Sequence, residues 1–116
     1  MRKKALIAVF ILLSHGLLAI LSYQVGSART GINEVTLNTL ILQNYISRVG
    51  RDFEDDERLE FINEHYKAHL SYLNTVWDKS WYHRLALTGD PTLLIHMEKA
   101  IERHYQLELL LSKKAE

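Results

Sequence analysis

The stretch Ala5–Tyr23, ALIAVFILLSHGLLAILSY, decides how this chain is read. It holds nineteen residues and no Asp, Glu, Lys or Arg. An α-helix needs about twenty apolar residues to cross a bilayer core. Arg2, Lys3 and Lys4 precede the stretch, and only Arg29 follows it closely. That asymmetry predicts an N-terminus in the cytoplasm and a remainder on the far side. The rival reading is a cleaved signal peptide, with Gly26 and Ala28 as the small residues before a cut. Such peptides have an apolar core of about 7–15 residues, shorter than this one, so a retained signal anchor is the preferred reading. The expected layout is a cytoplasmic tail at 1–4, a transmembrane helix at 5–25 and an extracytoplasmic helical domain at 26–116.

Composition narrows the rest. The 116 residues are formally neutral, with fourteen basic and fourteen acidic side chains. Three of the basic residues are the cap at positions 2–4, so residues 24–116 hold eleven basic and fourteen acidic. No basic surface is implied that would follow a phosphate backbone, and nucleic acid is not an expected partner. The chain has no cysteine, which excludes disulfides, thiol catalysis and zinc–thiolate sites. A domain of this size without staples is held by helix packing, a partner or the membrane.

Periodicity predicts an all-α fold: one N-terminal transmembrane helix followed by a small three-helix antiparallel bundle, with helices at about 30–49, 55–86 and 91–113. Residues 24–31, QVGSARTG, carry two glycines and read as a joint or a weakened helix, although the anchor could also run on without a full break. Val35, Leu40, Ile41, Leu42, Tyr45, Ile46 and Val49 recur at helical spacing, and Gly50 is a stop signal. The acidic run RDFEDDE at 51–57 supplies a turn and a helix start, with Asp52 or Asp55 as cap. Leu59, Ile62, Tyr66, Leu70, Leu73, Val76 and Trp77 form the next stripe. In LTGDP, Gly89 is expected to end that helix in the left-handed conformation, with Asp90 capping the next and Pro91 at its first position. Leu94, Met97, Ile101, His104 and Tyr105 share a side of the last helix, and Lys113 and Lys114 suit its C-terminal dipole.

The Leu87-Thr88-Gly89-Asp90 turn between helices, behind an N-terminal anchor, resembles the extracytoplasmic helical sensor domains of bacterial receptors (the CHASE3 and four-helix-bundle type). The resemblance covers four residues and a layout. It implies a bacterial inner-membrane protein with a periplasmic or extracellular helical domain, and a sensing role. The chain departs from those receptors in having no second apolar segment and no signalling module after the domain.

Three groups of residues are candidates for function. Ala8, His15, Ala19, Ser22 and Gly26 fall on one side of the anchor helix. Small residues let two transmembrane helices approach closely, and an imidazole inside a bilayer is costly unless it faces protein. The alternatives for His15 are an imidazole bonded to a backbone carbonyl and, further off, haem ligation. If the first two exported helices are antiparallel, the chain returns to the membrane surface near residue 78. That brings Trp77, Trp81 and Tyr82 to the interface where such side chains collect. Ordinary aromatic core is the competing reading, and the better one for Trp77. Finally, folding the last two helices about Thr88-Gly89 sets His69 opposite Glu108, a buried polar pair that relieves an otherwise costly carboxylate. The same region offers His65, His69, His104 and Glu108 as ligand types for a transition metal, or a pH-responsive pair. His83 and His96 are expected to face solvent or the interface.

No nucleophile–base arrangement, phosphate loop, HExxH or GxSxG is present in the sequence. Catalysis is not expected and no cofactor is implied. The expected function is that of a single-pass, membrane-anchored binding or accessory protein that joins a membrane protein partner or its own copy. The alternatives are a sensor or signalling-modulating module, and a histidine-based metal-binding protein.

Overall fold

The computed structural model describes residues 1–49 and 57–115, and every described element is helical: α1 (Arg2–Val49), α2 (Glu57–Lys79), α3 (Trp81–Thr88) and α4 (Pro91–Ala115). The predicted stop at Gly50 and the acidic run, apart from Glu57 where α2 begins, lie outside the described residues.

α1 runs for 48 residues without interruption, so residues 24–31 are helix and not a joint. Two helical glycines weaken a helix by roughly 0.5–1 kcal/mol each, which neighbouring turns and packing override. Thr30 also returns its hydroxyl to the Gly26 carbonyl at 3.0 Å. At 1.5 Å per residue such a helix is about 72 Å long, and it sets the 81 Å length of a molecule only 26 × 19 Å across. Its two ends live in different surroundings. From Met1 to Ile20 only Ser14 is even half-buried, and its hydroxyl donates to the Phe10 carbonyl at 2.7 Å. From Leu21 onward α1 is progressively covered by the other helices.

The core contains Ala28 and Ile32 of α1, Leu73 and Val76 of α2, Ala86 and Leu87 of α3, and Leu93, Met97 and Ala100 of α4. Each helix touches the other three. The stripes expected on α2 and α4 are inside: Tyr66, Leu70, Leu73, Val76 and Met97 are buried, with Ile62, Leu94, Ile101 and His104 half-buried. Trp77 and Tyr105, expected beside them, are exposed, and Leu93, outside the expected stripe, is buried.

α1 departs more sharply from the periodicity. Its inward face is Ala28, Ile32, Thr36, Thr39 and Gln43, while Leu37 and Ile41 stay 55% exposed. Thr39 can sit inside because its hydroxyl bonds the Val35 carbonyl at 2.8 Å, whereas the Thr36 hydroxyl is buried with no partner among the described residues. Gln43 bonds across the bundle through its amide nitrogen, as described below, while its Oε1 is buried with no partner among the described residues.

The second predicted helix, read as running to residue 86, is broken at Ser80. Ser80 is extended (φ −167°, ψ 164°) and its hydroxyl accepts from the His83 backbone N–H at 3.3 Å, starting α3. At the next turn Asp90 caps α4 as expected, its carboxylate accepting from Leu93 N–H at 3.2 Å, and Pro91 is the first residue of α4. Gly89 is not left-handed. Its φ of −81° is ordinary; its N–H donates to the Leu85 carbonyl at 2.9 Å, and the Asp90 N–H donates to the Leu87 carbonyl at 3.2 Å. Glycine suits the position because a Cβ would stand 3.1 Å from the Leu85 carbonyl oxygen.

Candidate functional site

Between Ala5 and Ile20 α1 is apolar apart from Ser14, His15 and Gly16, and it leaves Leu6, Ile7, Val9, Phe10, Leu12 and Leu13 at half exposure or more. By length and composition it can cross a membrane. The core helix of a soluble protein passes the same test, but such a helix is buried, and none of the apolar window here is. Transfer of one large apolar side chain out of water is worth about 1.5–3 kcal/mol. Ten of them lie between Leu6 and Ile20, so the total is on the order of 15–30 kcal/mol, comparable with or larger than the net stability of a whole domain. Lipid or protein must cover this segment.

Ala8, His15, Ala19, Ser22 and Gly26 all lie exposed along one side of it. Nothing stands within 4 Å of a Cβ built at Gly26. The His15 Nδ1 lies 2.7 Å from the Ile11 carbonyl. A carbonyl only accepts, so Nδ1 carries the proton there and Nε2 points outward as an acceptor. This is the local bond considered as an alternative, and it coexists with an outward-facing ring.

Because α1 does not break, the phase of this face carries into the folded domain. At 3.6 residues per turn, Leu37 returns to within about 20° of Gly26, and Ile41 to within about 60°. The bundle packs on a different side, through Ala28, Ile32, Thr36, Thr39 and Gln43. The residues along one side of α1 therefore stay exposed from Ala8 to Ile41: small up to Gly26, polar at Thr30 and Asn33 beside the Asp90–Leu93 cleft, and apolar at Leu37 and Ile41.

A polar seam joins α1, α2 and α4 inside the domain. Gln43 Nε2 donates to the Ala100 carbonyl at 2.6 Å and to the Tyr66 hydroxyl at 3.1 Å. Tyr66 Oη lies 3.0 Å from His104 Nδ1, and His104 Nε2 lies 3.3 Å from Glu108 Oε1. These contacts form one donor-to-acceptor chain, Gln43 to Tyr66 to His104 to Glu108, with the His104 proton on Nε2. Burial holds the Tyr66 hydroxyl above the ordinary phenol value, against the opposing effect of the Gln43 bond; the Glu108 charge adds to the rise.

The expected His69–Glu108 pair is not formed. Glu108 is 63% exposed, so no desolvation cost drives it to α2, and it bonds to His104 one turn earlier on its own helix. His69 Nδ1 is buried with no hydrogen-bond partner among the described residues. Burial, and then the charge His65 can carry, push the His69 imidazole below its usual value. The four metal-ligand candidates do not converge. His65 Nδ1 faces the Phe61 carbonyl at 3.0 Å, and among the described residues no group of three or more ligand side chains could share an ion.

The aromatic group divides. Trp77 and Trp81 are 37% and 49% exposed, and Leu85 joins them at 50%. Tyr82 turns inward against the core, its ring edge-on to Trp81 at 5.6 Å between centroids. Of the remaining histidines, His83 is half-buried beside Ser80, and His96 is exposed. The Arg29–Asp90 ion pair, 2.7 Å long, ties α1 to the α4 cap at the end of the domain nearest the apolar segment. Both the Ser80 break and the Gln43 seam were missed in the sequence. Ser80 offers the usual N-cap residue type, and Gln43 carried no local signal.

Compared with known protein families, with curated proteins and with solved structures, the chain finds no match. Its description rests on its own geometry: an all-α protein with one long apolar N-terminal helix.

Proposed function

We propose that this chain is a single-pass, membrane-anchored accessory protein that binds a membrane protein partner, or a second copy of itself, along one side of α1. One observation carries the reading: α1 leaves a single unobstructed side running from Ala8 through Gly26 to Leu37 and Ile41, while the other helices pack elsewhere. Close approach at the small residues and apolar contact above them suit a long parallel or antiparallel helix partner. The anchor is retained in this reading. A cut after Ala28 would pass through the middle of α1 and strip Val25 and Ala28 from the domain they pack in. The charge cap at Arg2, Lys3 and Lys4 orients the N-terminus to the cytoplasm and the helical domain outward, in a bacterial inner membrane.

The absence of cysteine makes the test direct. Single cysteines at Ala19, Ser22, Leu37 and Ile41 should each cross-link, in membranes, to the same second chain. Cysteines at Leu13 and Leu17, on the opposite side, should not. Cross-linking that ignores the helix phase, or none at any position, defeats the proposal. Purification in mild detergent then tells a foreign subunit from a second copy.

A sensor reading has one observation in its favour. The unbroken α1 connects the span rigidly to the Gln43–Tyr66–His104 seam, so a change at the seam would be felt by the span. A partner that is a receptor or kinase would favour it.

A further inference from the structure

The short helix α3 sits where the membrane span ends. Tyr72, near the lower end of α2, brings its hydroxyl within 3.6 Å of a Cβ built at Gly31. Asp90, just after α3, pairs with Arg29 and shares a surface cleft with Gly26 and Leu93. α2 runs on for about 12 Å from Tyr72 to Ser80, so α3 begins below the level of Gly31 and ends by the Arg29–Asp90 pair, at the end of the domain nearest the apolar segment. The extended backbone at Ser80 supplies the change of direction.

α3 is two-sided. Ala86 and Leu87 are buried and Tyr82 is packed on the core, while Trp81, Arg84, Leu85 and Thr88 are exposed. Trp77, one turn before the break, extends the exposed apolar group. The apolar run of α1 ends at Tyr23, yet Leu21 and Val25 are already half-buried by the domain. The polar headgroup layer of a bilayer leaflet is only about 5–8 Å thick. A domain that starts within the last turn of the span has no water-filled gap beneath it for a soluble partner. Tryptophan prefers this layer, and an arginine beside it can reach lipid phosphate.

We propose that α3 is an interfacial helix: Trp81 and Leu85, with Trp77 beside them, dip into the headgroup region of the bilayer that α1 spans and seat the domain on the lipid surface. This rests on the membrane-anchored reading above, and adds to it a lipid contact separate from the α1 side offered to a partner. It fixes the height and tilt of the domain, and so which part of that side a partner can reach.

Trp77 and Trp81 are the only tryptophans in the chain, so intrinsic fluorescence reports from this surface alone. The full chain is reconstituted in phosphatidylcholine vesicles, plain or with bromine high on the acyl chains, and flotation after carbonate treatment is read on the same samples. The Trp77→Phe variant, which isolates Trp81, should float and lose emission in the brominated vesicles. Adding Leu85→Glu should restore that emission while the helical circular dichroism stays the same. Equal emission in plain and brominated vesicles, with the protein floating, overturns the lipid contact and leaves the anchor intact. Emission that instead shifts with protein density in plain vesicles assigns the surface to a second copy and also overturns it. Failure to float refutes the membrane reading itself.

Discussion

Gln43 is where three helices meet. Its amide nitrogen reaches both the Ala100 carbonyl of α4 and the Tyr66 hydroxyl of α2 from inside the bundle. Gln43→Ala removes both bonds and leaves the Ala100 carbonyl and Tyr66 with less than they had. The expected loss is about 1–3 kcal/mol, seen as a lower melting temperature of the full chain in mild detergent. An unchanged melting temperature would mean the seam is not formed. Asp90 combines two roles that substitutions separate. Asp90→Asn keeps a good helix cap and gives up only the partly exposed ion pair with Arg29, a loss of about 0–1 kcal/mol. Asp90→Ala should cost a further 0.5–2 kcal/mol or so. Equal losses would deny the cap. The imidazoles give a pH signature. His69 is pushed down by burial and by His65, and His83 by burial and by Lys79. The unfolded chain therefore takes up protons first as pH falls, and the folded state is penalised. Stability should be flat above pH ~6.5 and fall below it until both folded-state imidazoles titrate. His69→Gln should flatten part of that fall in a melting-temperature series.

At the scale of the element, α1 is the test. If it is one helix through residues 24–31, its glycines there are a weakness and not a hinge. Gly26 has open space where a Cβ would go, and at Gly31 the contact with Tyr72 would be an ordinary 3.6 Å. Gly26→Ala and Gly31→Ala should each stabilise the chain, by about 0.5–1 kcal/mol. Destabilisation by either would restore the joint. Gly26 carries a second expectation, because it lies on the side of α1 proposed above to meet a partner. Gly26→Leu should leave the fold intact and weaken cross-linking from Ser22, as bulk there keeps a second helix away. The inward face of α1 explains why periodicity misled. Thr36 and Thr39 look like a polar face, and Ile41 and Tyr45 belong to the expected stripe, yet the threonines are buried and Ile41 and Tyr45 are exposed, while Val35 and Leu40 pack on the core as expected. A threonine that bonds its own helix can be buried at little cost, and an exposed leucine by itself means little.

At the scale of the molecule, an 81 Å rod carries a bare apolar shaft at one end and a packed domain at the other. The shaft is too apolar to remain in water, and the domain enters the core through Ala28 and Ile32 of the same helix. The chain should stay with the membrane pellet after alkaline carbonate, and residues 30–116 should be reached by protease only from the far side of the cell membrane. Release into the wash, or digestion only from the cytosol, would contradict the topology.

What the sequence determined by itself were the features that depend on local composition and period: the apolar helix, the helical class, the stripes of α2 and α4, the Asp90 cap with Pro91 behind it. Each is set by neighbours along the chain, where propensity, charge and spacing act directly. Only the tertiary structure decided the rest: which side of α1 faces inward, where α2 breaks, and that Gln43, Tyr66 and His104 meet from three helices. Those outcomes depend on contacts between residues far apart in sequence, such as Gln43 with Tyr66 and Ala100, whose energies are fixed by packing geometry that no local pattern encodes.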